Sequence, residues 1–289
     1  MLKFNKPIFI AELCCNHMGS IDIAKVMIDL ASDAGADVVK FQKRDIEEWT
    51  NRKPNVYNNK HPNPSNSFGN TYREHREALE FSFDEHKILK DYCDKKNVKY
   101  SASVWDIKSA KEICSLNPFM IKVASPCNTN FELLEWLCKN YFGEIHLSLG
   151  MTSHDEIEKI VNLFVVNKRN QDLVLYACTS GYPVEFEDMC ILEIRYLLEK
   201  YGSIVKKIGF SGHHIGTTID IAAYTLGASV IERHFTIDKD LKGTDQKVAL
   251  TKNEFAKLVN DVNDVYKALK YKYKDILDVE VKNKEKLKW

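Results

Sequence analysis

Short runs of apolar residues alternate along the chain with longer stretches in which apolar residues recur at helical spacing. The short runs predict eight strands, at residues 8–13, 37–41, 99–103, 119–123, 144–149, 173–177, 206–210 and 229–234. The longer stretches predict amphipathic helices, at residues 21–34, 83–96, 107–115, 131–139, 153–166, 188–201, 217–226 and 252–271. Regular alternation of strand and helix is typical of a parallel sheet.

Eight strand–helix units favour a closed TIM (β/α)8 barrel, a fold that commonly takes about 250 residues as one domain. We expect residues 1–275 to form this α/β barrel and residues 276–289 to be a basic tail or the start of a linker. An open, doubly wound sheet is the alternative, but no Gly-x-Gly-x-x-Gly motif follows any predicted strand.

One segment interrupts the alternation. Residues 44–73 are polar and contain Pro54, Pro62, Pro64 and several asparagines. A loop this long inside a compact domain is usually functional or disordered. Because it follows the second strand, on the catalytic face of a barrel, we expect a lid or wall of the site that is mobile without ligand.

Charge and composition exclude several classes of partner. Basic and acidic residues balance at 41 each, whereas nucleic-acid binding usually needs a basic stripe. No apolar run is long enough to span a bilayer, and the N-terminus lacks the apolar core of a signal peptide. We therefore expect a cytoplasmic protein with no membrane partner. The eight cysteines form no CxxC pair and are expected to be reduced, most of them in the core.

Polar residues mark the carboxyl ends of the predicted strands, where TIM barrels carry their chemistry. Lys40 and Lys122 lie inside apolar runs, where an unpaired ammonium would be costly. They predict a phosphate-binding site together with serines at neighbouring strand ends, namely Ser103, Ser125, Ser148 and Ser211. Each lysine could instead snorkel at a strand end. One of them could also form a Schiff base with a keto acid, which is the alternative chemistry.

Two histidines lie at the ends of the adjacent seventh and eighth strands. His213 and His234 would converge there, and two imidazoles suit a divalent transition metal with open positions for water and substrate. Glu12 and Glu232 strengthen the prediction of a metal site. A single histidine is usually structural, and His214 is a neighbour whose role is open.

The residues just named, with their neighbours, resemble the sialic acid synthase family, in the broad sense that includes N-acetylneuraminate, legionaminate and pseudaminate synthases. The blocks run in family order: residues 10–19 (IAELCCNHMG), 35–43 (GADVVKFQK), 72–76 (YREHR), 79–82 (LEFS), 122–125 (KVAS), 148–151 (SLGM), 182–183 (YP), 209–213 (GFSGH), 232–235 (ERHF) and 243–245 (GTD). Together these blocks are highly specific.

The resemblance implies a reaction. Phosphoenolpyruvate would condense with an aldose to give a nine-carbon 2-keto-3-deoxy sugar acid and phosphate. A divalent metal, Mn2+ first and Mg2+ or Co2+ as alternatives, would be held by His213 and His234 and would polarise the aldehyde. Residues at matching positions would surround phosphoenolpyruvate: Lys40, Ser103, Lys122, Ser125, Ser148, Ser180 and Ser211. Others would orient sugar, water or metal: Glu12, Gln42, Tyr182, Glu232 and Asp245.

Some positions depart from the family pattern. Cys127 stands where members often have an acidic residue, and Ser180 stands where some carry asparagine. Leu149 replaces the usual small threonine, and Gln246 replaces histidine in many relatives. The resemblance covers the barrel and not the C-terminal antifreeze-like domain of most bacterial relatives. We expect a homodimer, with a separate antifreeze-like domain protein as a candidate partner.

Three functions follow as hypotheses. The first is the phosphoenolpyruvate-dependent synthase. The second is a lysine Schiff-base aldolase for keto-deoxy sugar acids on the same barrel. The third is a binding barrel without catalysis, suggested by Cys127 and Leu149 and opposed by the presence of both lysines and both histidines.

Overall fold

In a computed structural model, which describes residues 4–289, eight parallel strands form a closed barrel in sequence order, with β1 hydrogen-bonded to β8. The strands are β1 (Ile8–Cys14), β2 (Val38–Lys43), β3 (Lys99–Val104), β4 (Met120–Val123), β5 (Glu144–Ser148), β6 (Leu173–Cys178), β7 (Lys207–Gly212) and β8 (Val230–His234). All eight predicted strands are present, and the predicted TIM barrel is confirmed.

Helices cover the outside of the barrel and occupy the connections. They are α1 (Ile21–Asp33), α2 (Ile46–Arg52), α3 (Pro54–Tyr57), α4 (Tyr72–Glu77), α5 (Phe83–Lys95), α6 (Ile107–Ser115), α7 (Phe131–Asn140), α8 (His154–Val166), α9 (Glu193–Tyr201), α10 (Thr218–Thr225), α11 (Lys252–Ala268) and α12 (Asp278–Leu287). Short 3-10 turns lie at Pro64–Asn66, Ser125–Cys127, Asn170–Asp172, Phe186–Asp188 and Gln246–Val248. Within residues 4–289, no helix is long and apolar enough to cross a membrane.

Two apolar cores hold the barrel. The larger fills the space between the outer strand faces and the helices. The smaller fills the lower part of the barrel interior and consists of Ile10, Val38, Met120, Val174, Tyr176 and Val230. Because side chains alternate between the two faces of a strand, the residues two positions further along also point inwards. This alternation places the site directly above the inner core.

Local signals explain several helix starts. Ser82 and Ser153 form capping boxes with Glu85 and Glu156, which satisfy backbone N–H groups at the first turns of α5 and α8. The predicted helix 188–201 starts late, at Glu193. Its expected first turn is interrupted at Cys190, whose φ of 46° lies in the left-handed region and cannot continue a right-handed helix.

The segment of residues 44–73 corrects the prediction of an irregular loop. It contains α2, α3 and the start of α4. Four rings hold it together: Tyr57 meets Tyr72 at 5.1 Å between centroids, and His61 meets Tyr72 at 5.5 Å and His75 at 4.4 Å. Tyr57, His61 and His75 are buried. The asparagine- and proline-rich composition conceals this small aromatic core, and mobility of the segment stays a prediction.

Residues 276–289, expected to be a basic tail or linker, contain helix α12. None of its residues is buried, although Lys272 Nζ pairs with Glu280 at 2.8 Å. The helix therefore lies outside both apolar cores.

Candidate active site

A cavity of about 260 Å3 opens at the carboxyl ends of the strands. All the predicted site residues except Ser180 line it: Glu12, Lys40, Gln42, Ser103, Lys122, Ser125, Ser148, Tyr182, Ser211, His213, Glu232, His234 and Asp245. These side chains come from every strand except β6 and from the loops that follow β4, β6, β7 and β8. The sequence therefore predicted which residues lie together in the cavity. The role of each of these residues stays a prediction.

The floor of the cavity is a layer of four charges inside the barrel. Lys122 Nζ donates to both carboxylate oxygens of Glu232, at 2.7 and 2.9 Å. Lys40 Nζ contacts the Glu12 carboxylate, lies 3.8 Å from Glu232 and donates to Ser103 Oγ at 2.8 Å. All four charged side chains are at least nine-tenths buried. Two cations and two anions balance, which is how a barrel interior can hold ionised groups.

Burial and pairing shift the proton affinities of this layer. Burial lowers the pKa of Lys40 to about 7; Lys122 adds to the decrease and Glu232 opposes it. Burial alone would raise the pKa of Glu232, but Lys122 and Lys40 reverse this and hold it well below its usual range. Glu232 is therefore ionised at neutral pH, whereas Lys40 lies close to its titration point.

The serines surround this layer. Ser211 Oγ donates to Glu232 at 3.1 Å, and Ser125 Oγ accepts from the Gly150 N–H at 3.1 Å. Ser180 is not among the residues that line this cavity; it lines a neighbouring cavity between α8 and α9, and its role stays a prediction. Its hydroxyl packs against Gly150, where a β-carbon would come within 2.2 Å of Ser180 Oγ. Ser180 lies two residues beyond the end of β6, in the same loop as Tyr182, which does line the site cavity.

A second polar cluster lies at the rim. The rings of His213 and His234 are 5.3 Å apart between centroids, and Tyr182 covers His213 at 4.6 Å. Burial and His234 lower the pKa of His213 to about 3, and burial lowers the pKa of His234, against the opposing charge of Asp245. Both imidazoles are therefore neutral at pH 7, the state in which histidine binds metal.

The rim residues fit a divalent cation. His213 Nδ1 donates to the Thr179 carbonyl at 3.0 Å, which leaves Nε2 as the ring's acceptor. His234 Nδ1 is buried and has no hydrogen-bond partner among the described residues. A buried nitrogen without a partner is costly unless a ligand satisfies it. The Asp245 carboxylate completes a neutral-nitrogen and anionic-oxygen donor set that suits a transition metal.

Several cavity residues were missed by sequence reasoning: Cys14, Arg44, Tyr72, Arg76 and Trp105. Cys14 could have been identified from the sequence, because it lies two positions after Glu12 on β1. The others depend on the fold of the segment after β2. Both arginines hold Glu80, Arg44 Nε at 2.8 Å and Arg76 at 2.5 Å, and the Arg44 guanidinium stacks on Trp105 at 3.7 Å.

Three polar residues named from sequence lie outside the cavity. Cys127 is buried and directs its thiol to the Trp105 carbonyl at 3.4 Å. His214 lies behind the barrel wall beside Asp220, where Arg233 donates to its backbone carbonyl at 2.7 Å. His17 stacks on Phe81 at 4.0 Å. These contacts are structural. All eight cysteines are free thiols, as predicted.

Comparison with known proteins now identifies the family. Residues 27–274 match the NeuB family. The chain belongs to this family. It is 38% identical to the N-acetylneuraminate-9-phosphate synthase of Homo sapiens over 284 residues, which is 97% of this chain and 76% of that protein. It is 31% identical to the N,N'-diacetyllegionaminic acid synthase of Campylobacter jejuni, over 91% of this chain and 78% of that protein.

A solved structure agrees with the family assignment. The N-acetylneuraminic acid synthetase of Leptospira borgpetersenii superimposes with a TM-score of 0.82 at 30% identity, covering 98% of this chain and 93% of that one. This NeuB-family protein is therefore an enzyme of the sialic acid synthase type, as its sequence predicted.

Proposed function

We propose that the protein condenses phosphoenolpyruvate with an aldose to form a nine-carbon 2-keto-3-deoxy sugar acid. Carbon 3 of phosphoenolpyruvate forms a bond to the aldehyde carbon of the six-carbon sugar, water adds at carbon 2, and the C–O bond to phosphate breaks. The observation that carries the proposal is the buried layer of Lys40, Lys122, Glu12 and Glu232 at the floor of a cavity lined by serines.

The two lysines are proposed to bind the anionic end of phosphoenolpyruvate. Hydrogen bonds between ionised partners are roughly twice as strong as neutral ones. Each lysine already contacts a carboxylate, so the ligand would share or displace Glu12 and Glu232. Hydroxyl groups of Ser103, Ser125, Ser148 and Ser211 would complete the anion site. Ser180, which packs behind Gly150, would act through that glycine.

A divalent metal, Mn2+ or alternatively Mg2+ or Co2+, is proposed at His213 and His234. When bound, such a cation supplies Lewis-acid polarisation of a carbonyl oxygen. The chain's own groups do the rest. His213 keeps its Nδ1 proton on the Thr179 carbonyl, and Tyr182 shields His213 from water. Asp245 stays ionised because His234 and Cys14 lower its pKa against burial.

The remaining polar residues are proposed to orient the sugar and the water. Gln42 accepts from Arg44 at 2.5 Å and donates to Cys14, so its side chain is fixed at both ends. Glu12 contacts Lys40 in the floor layer and is proposed to accept a proton from water. Glu232 is held ionised by Lys122 and Ser211.

A second candidate function has one observation in its favour. The pKa of Lys40, lowered to about 7, gives a neutral amine fraction at physiological pH, which a Schiff-base aldolase requires. Borohydride reduction in the presence of pyruvate would trap such an imine on Lys40. The synthase needs no imine, so absence of a trapped adduct during full turnover would exclude the aldolase.

Assembly and substrate are parts of the same proposal. The relatives' names include a 9-phosphate synthase and a diacetyllegionaminic acid synthase, so an N-acetylmannosamine-like hexose, phosphorylated or not, is the proposed aldose class. We propose a homodimer in the cytoplasm, with a separate antifreeze-like domain protein as a candidate partner.

The decisive experiment is a phosphate-release assay. The metal-free protein is incubated with phosphoenolpyruvate, one added metal and one of a panel of aldoses, and the sugar acid is detected by mass spectrometry. Phosphate release that depends on both metal and one aldose supports the proposal. Binding of phosphoenolpyruvate without release for any aldose would favour the binding barrel.

A further inference from the structure

A thiol lies within the rim cluster. One ligand atom each of Cys14, His234 and Asp245 lie within 4.8 Å of one another. Cys14 Sγ is 2.9 Å from Asp245 Oδ2. In a tetrahedral zinc site, a sulfur at about 2.3 Å and an oxygen at about 2.0 Å from the metal are about 3.5 Å apart. The three groups therefore need only a small adjustment to share one cation.

The backbone presents this thiol to the cavity at a cost. Cys14 has a φ of 48°, in the left-handed region that residues with a β-carbon seldom adopt. It stands where the pairing of β1 with β2 shifts register, between Glu12 and Cys14. Such a conformation is strained and persists where surrounding contacts impose it. Here the Cys14 N–H donates to Glu12 Oε1 at 2.8 Å.

Neighbouring groups orient the sulfur as an acceptor. Gln42 Nε2 donates to Cys14 Sγ at 2.9 Å, the kind of contact that positions a metal ligand from the next shell of residues. On the other side, the Cys14 thiol donates to Asp245 Oδ2, and a divalent cation bound there would displace this proton to solvent. His234, only 7% exposed, contributes a ring nitrogen to the same group, and its Nδ1 has no hydrogen-bond partner among the described residues. One cation would satisfy all three groups.

We propose that Cys14 binds the divalent metal as a thiolate, together with His234 and Asp245. The proposal rests on the metal assigned to His213 and His234 under the proposed function and adds a sulfur ligand to it. Thiolate ligands favour Zn2+ or Co2+, whereas carboxylate and water ligands suit Mn2+. The chain should therefore prefer a softer metal than the Mn2+ that its family resemblance implies.

Cobalt substitution tests the sulfur ligand directly. The metal-free full-length protein is titrated with Co2+ and followed by absorption, because a thiolate bound to Co2+ gives an intense near-ultraviolet charge-transfer band that nitrogen and oxygen ligands do not. The wild-type protein should develop this band and saturate at one ion per chain. Cys14→Ser should lose the band and bind Zn2+ at least about 10-fold more weakly, with little change for Mn2+.

A matched control comes from the next residue. Cys15 is the adjacent thiol; its sulfur accepts from Arg76 at 3.2 Å and contacts the Cys14 thiol, but it is not one of the three grouped ligands. Cys15→Ser should keep the full band, which excludes a general effect of removing a cysteine near the site. Circular dichroism and thermal melting of both variants check that the barrel is folded.

The outcomes separate this proposal from the proposed function. Cobalt bound without the band in the wild type, or a band that survives Cys14→Ser, overturns the sulfur ligand, while metal-dependent phosphate release would still support the synthase. A band that depends on Cys14 in a protein that releases no phosphate with any aldose would uphold the metal site and count against the synthase. Failure of the wild-type protein to bind any metal overturns both metal assignments.

Discussion

The lower and upper halves of the barrel interior differ in chemistry although the same strands build them. The lower half is mainly apolar, with Ile10, Val38, Met120 and Val230, and its buried polar residues Ser101 and His146 hydrogen-bond to members of this core. Two positions further along the same four strands stand Glu12, Lys40, Lys122 and Glu232, in the same order. The alternation of side chains along each strand decides which residues face the barrel axis. The position of a residue along its strand decides whether it packs in the apolar core or belongs to the charged layer at the carboxyl end.

The two halves of the barrel interior also differ in the interactions that stabilise them. The lower residues are stabilised by removal of apolar surface from water. The upper residues lose hydration, and their mutual attraction and hydrogen bonds offset that loss. The comparison predicts that substitutions in the lower half change stability alone, while substitutions in the upper half and at its rim change ligand binding and turnover.

The largest effect is expected at the rim. His213→Ala or His234→Ala removes a proposed metal ligand, and loss of Lewis-acid stabilisation worth several kcal/mol lowers kcat more than about 1000-fold. Metal content should fall in parallel, measured by plasma mass spectrometry. Both side chains lie above the inner core, so the melting temperature of the metal-free protein should change little. Near-normal turnover and metal content in either variant would show that the pair does not hold the metal.

Lys122→Met tests the charged layer. It removes a cation that donates twice to Glu232, so the dissociation constant for phosphoenolpyruvate should rise about 100-fold, measured by calorimetry. Sugar binding should change much less. Stability should fall by about 3–5 kcal/mol because Glu232 loses its main partner, and adding Glu232→Gln should recover part of it. An equal loss of affinity for phosphoenolpyruvate and for the sugar would contradict an anion site here. Lys40→Met tests the other lysine in the same way.

Met120→Ala is the matched substitution in the lower half, two residues before Lys122 on the same strand. It leaves a cavity in the inner core and should lower the free energy of unfolding by about 2–5 kcal/mol in urea titration. Met120 does not line the active-site cavity, so the dissociation constant for phosphoenolpyruvate should stay within about twofold of wild type. A large loss of binding would mean that the two halves are coupled.

The charged layer should also respond to pH. Lys40, with a pKa of about 7, loses its charge above that pH, so binding of phosphoenolpyruvate should weaken by up to about 10-fold per unit between pH 7 and 9. The contribution of Lys40 to the free energy of unfolding should instead increase as the pH rises. Unfolded Lys40 keeps its proton up to its ordinary pKa of 10.5, so the unfolded chain binds more protons and its contribution to stability rises over this window. Lys40→Arg stays charged and should remove the pH dependence of binding.

The smallest effect is expected in the segment of residues 44–73. Hydrogen exchange there should slow when phosphoenolpyruvate and sugar bind, because Arg44 and Tyr72 line the cavity. The exchange of α8, on the other side of the barrel, serves as the internal reference. Unchanged protection in 44–73, together with normal turnover after deletion of residues 60–67, would exclude a lid.

The sequence alone predicted the features that depend on the spacing of apolar residues and on the position of polar residues relative to strand ends. The eight strands follow from apolar runs, and the cavity residues follow from the rule that strand ends carry the chemistry. It was insufficient where tertiary contacts decide the structure. The aromatic core of Tyr57, His61 and Tyr72 has no local signature, and the late start of α9 depends on the conformation of Cys190. Ser180 shows that a position after a strand does not by itself place a side chain in the cavity, since Tyr182 in the same loop lines it and Ser180 does not.

The wall that Arg44, Tyr72 and Arg76 build has a different origin from the floor, and this matters for how such enzymes diversify. Floor residues are fixed by barrel register, so replacing one strand disturbs its two neighbours. The wall belongs to the segment after β2, whose own rings hold it together. Under the proposed function, changes within this segment should alter which part of a sugar is recognised while leaving the charged layer below it in place.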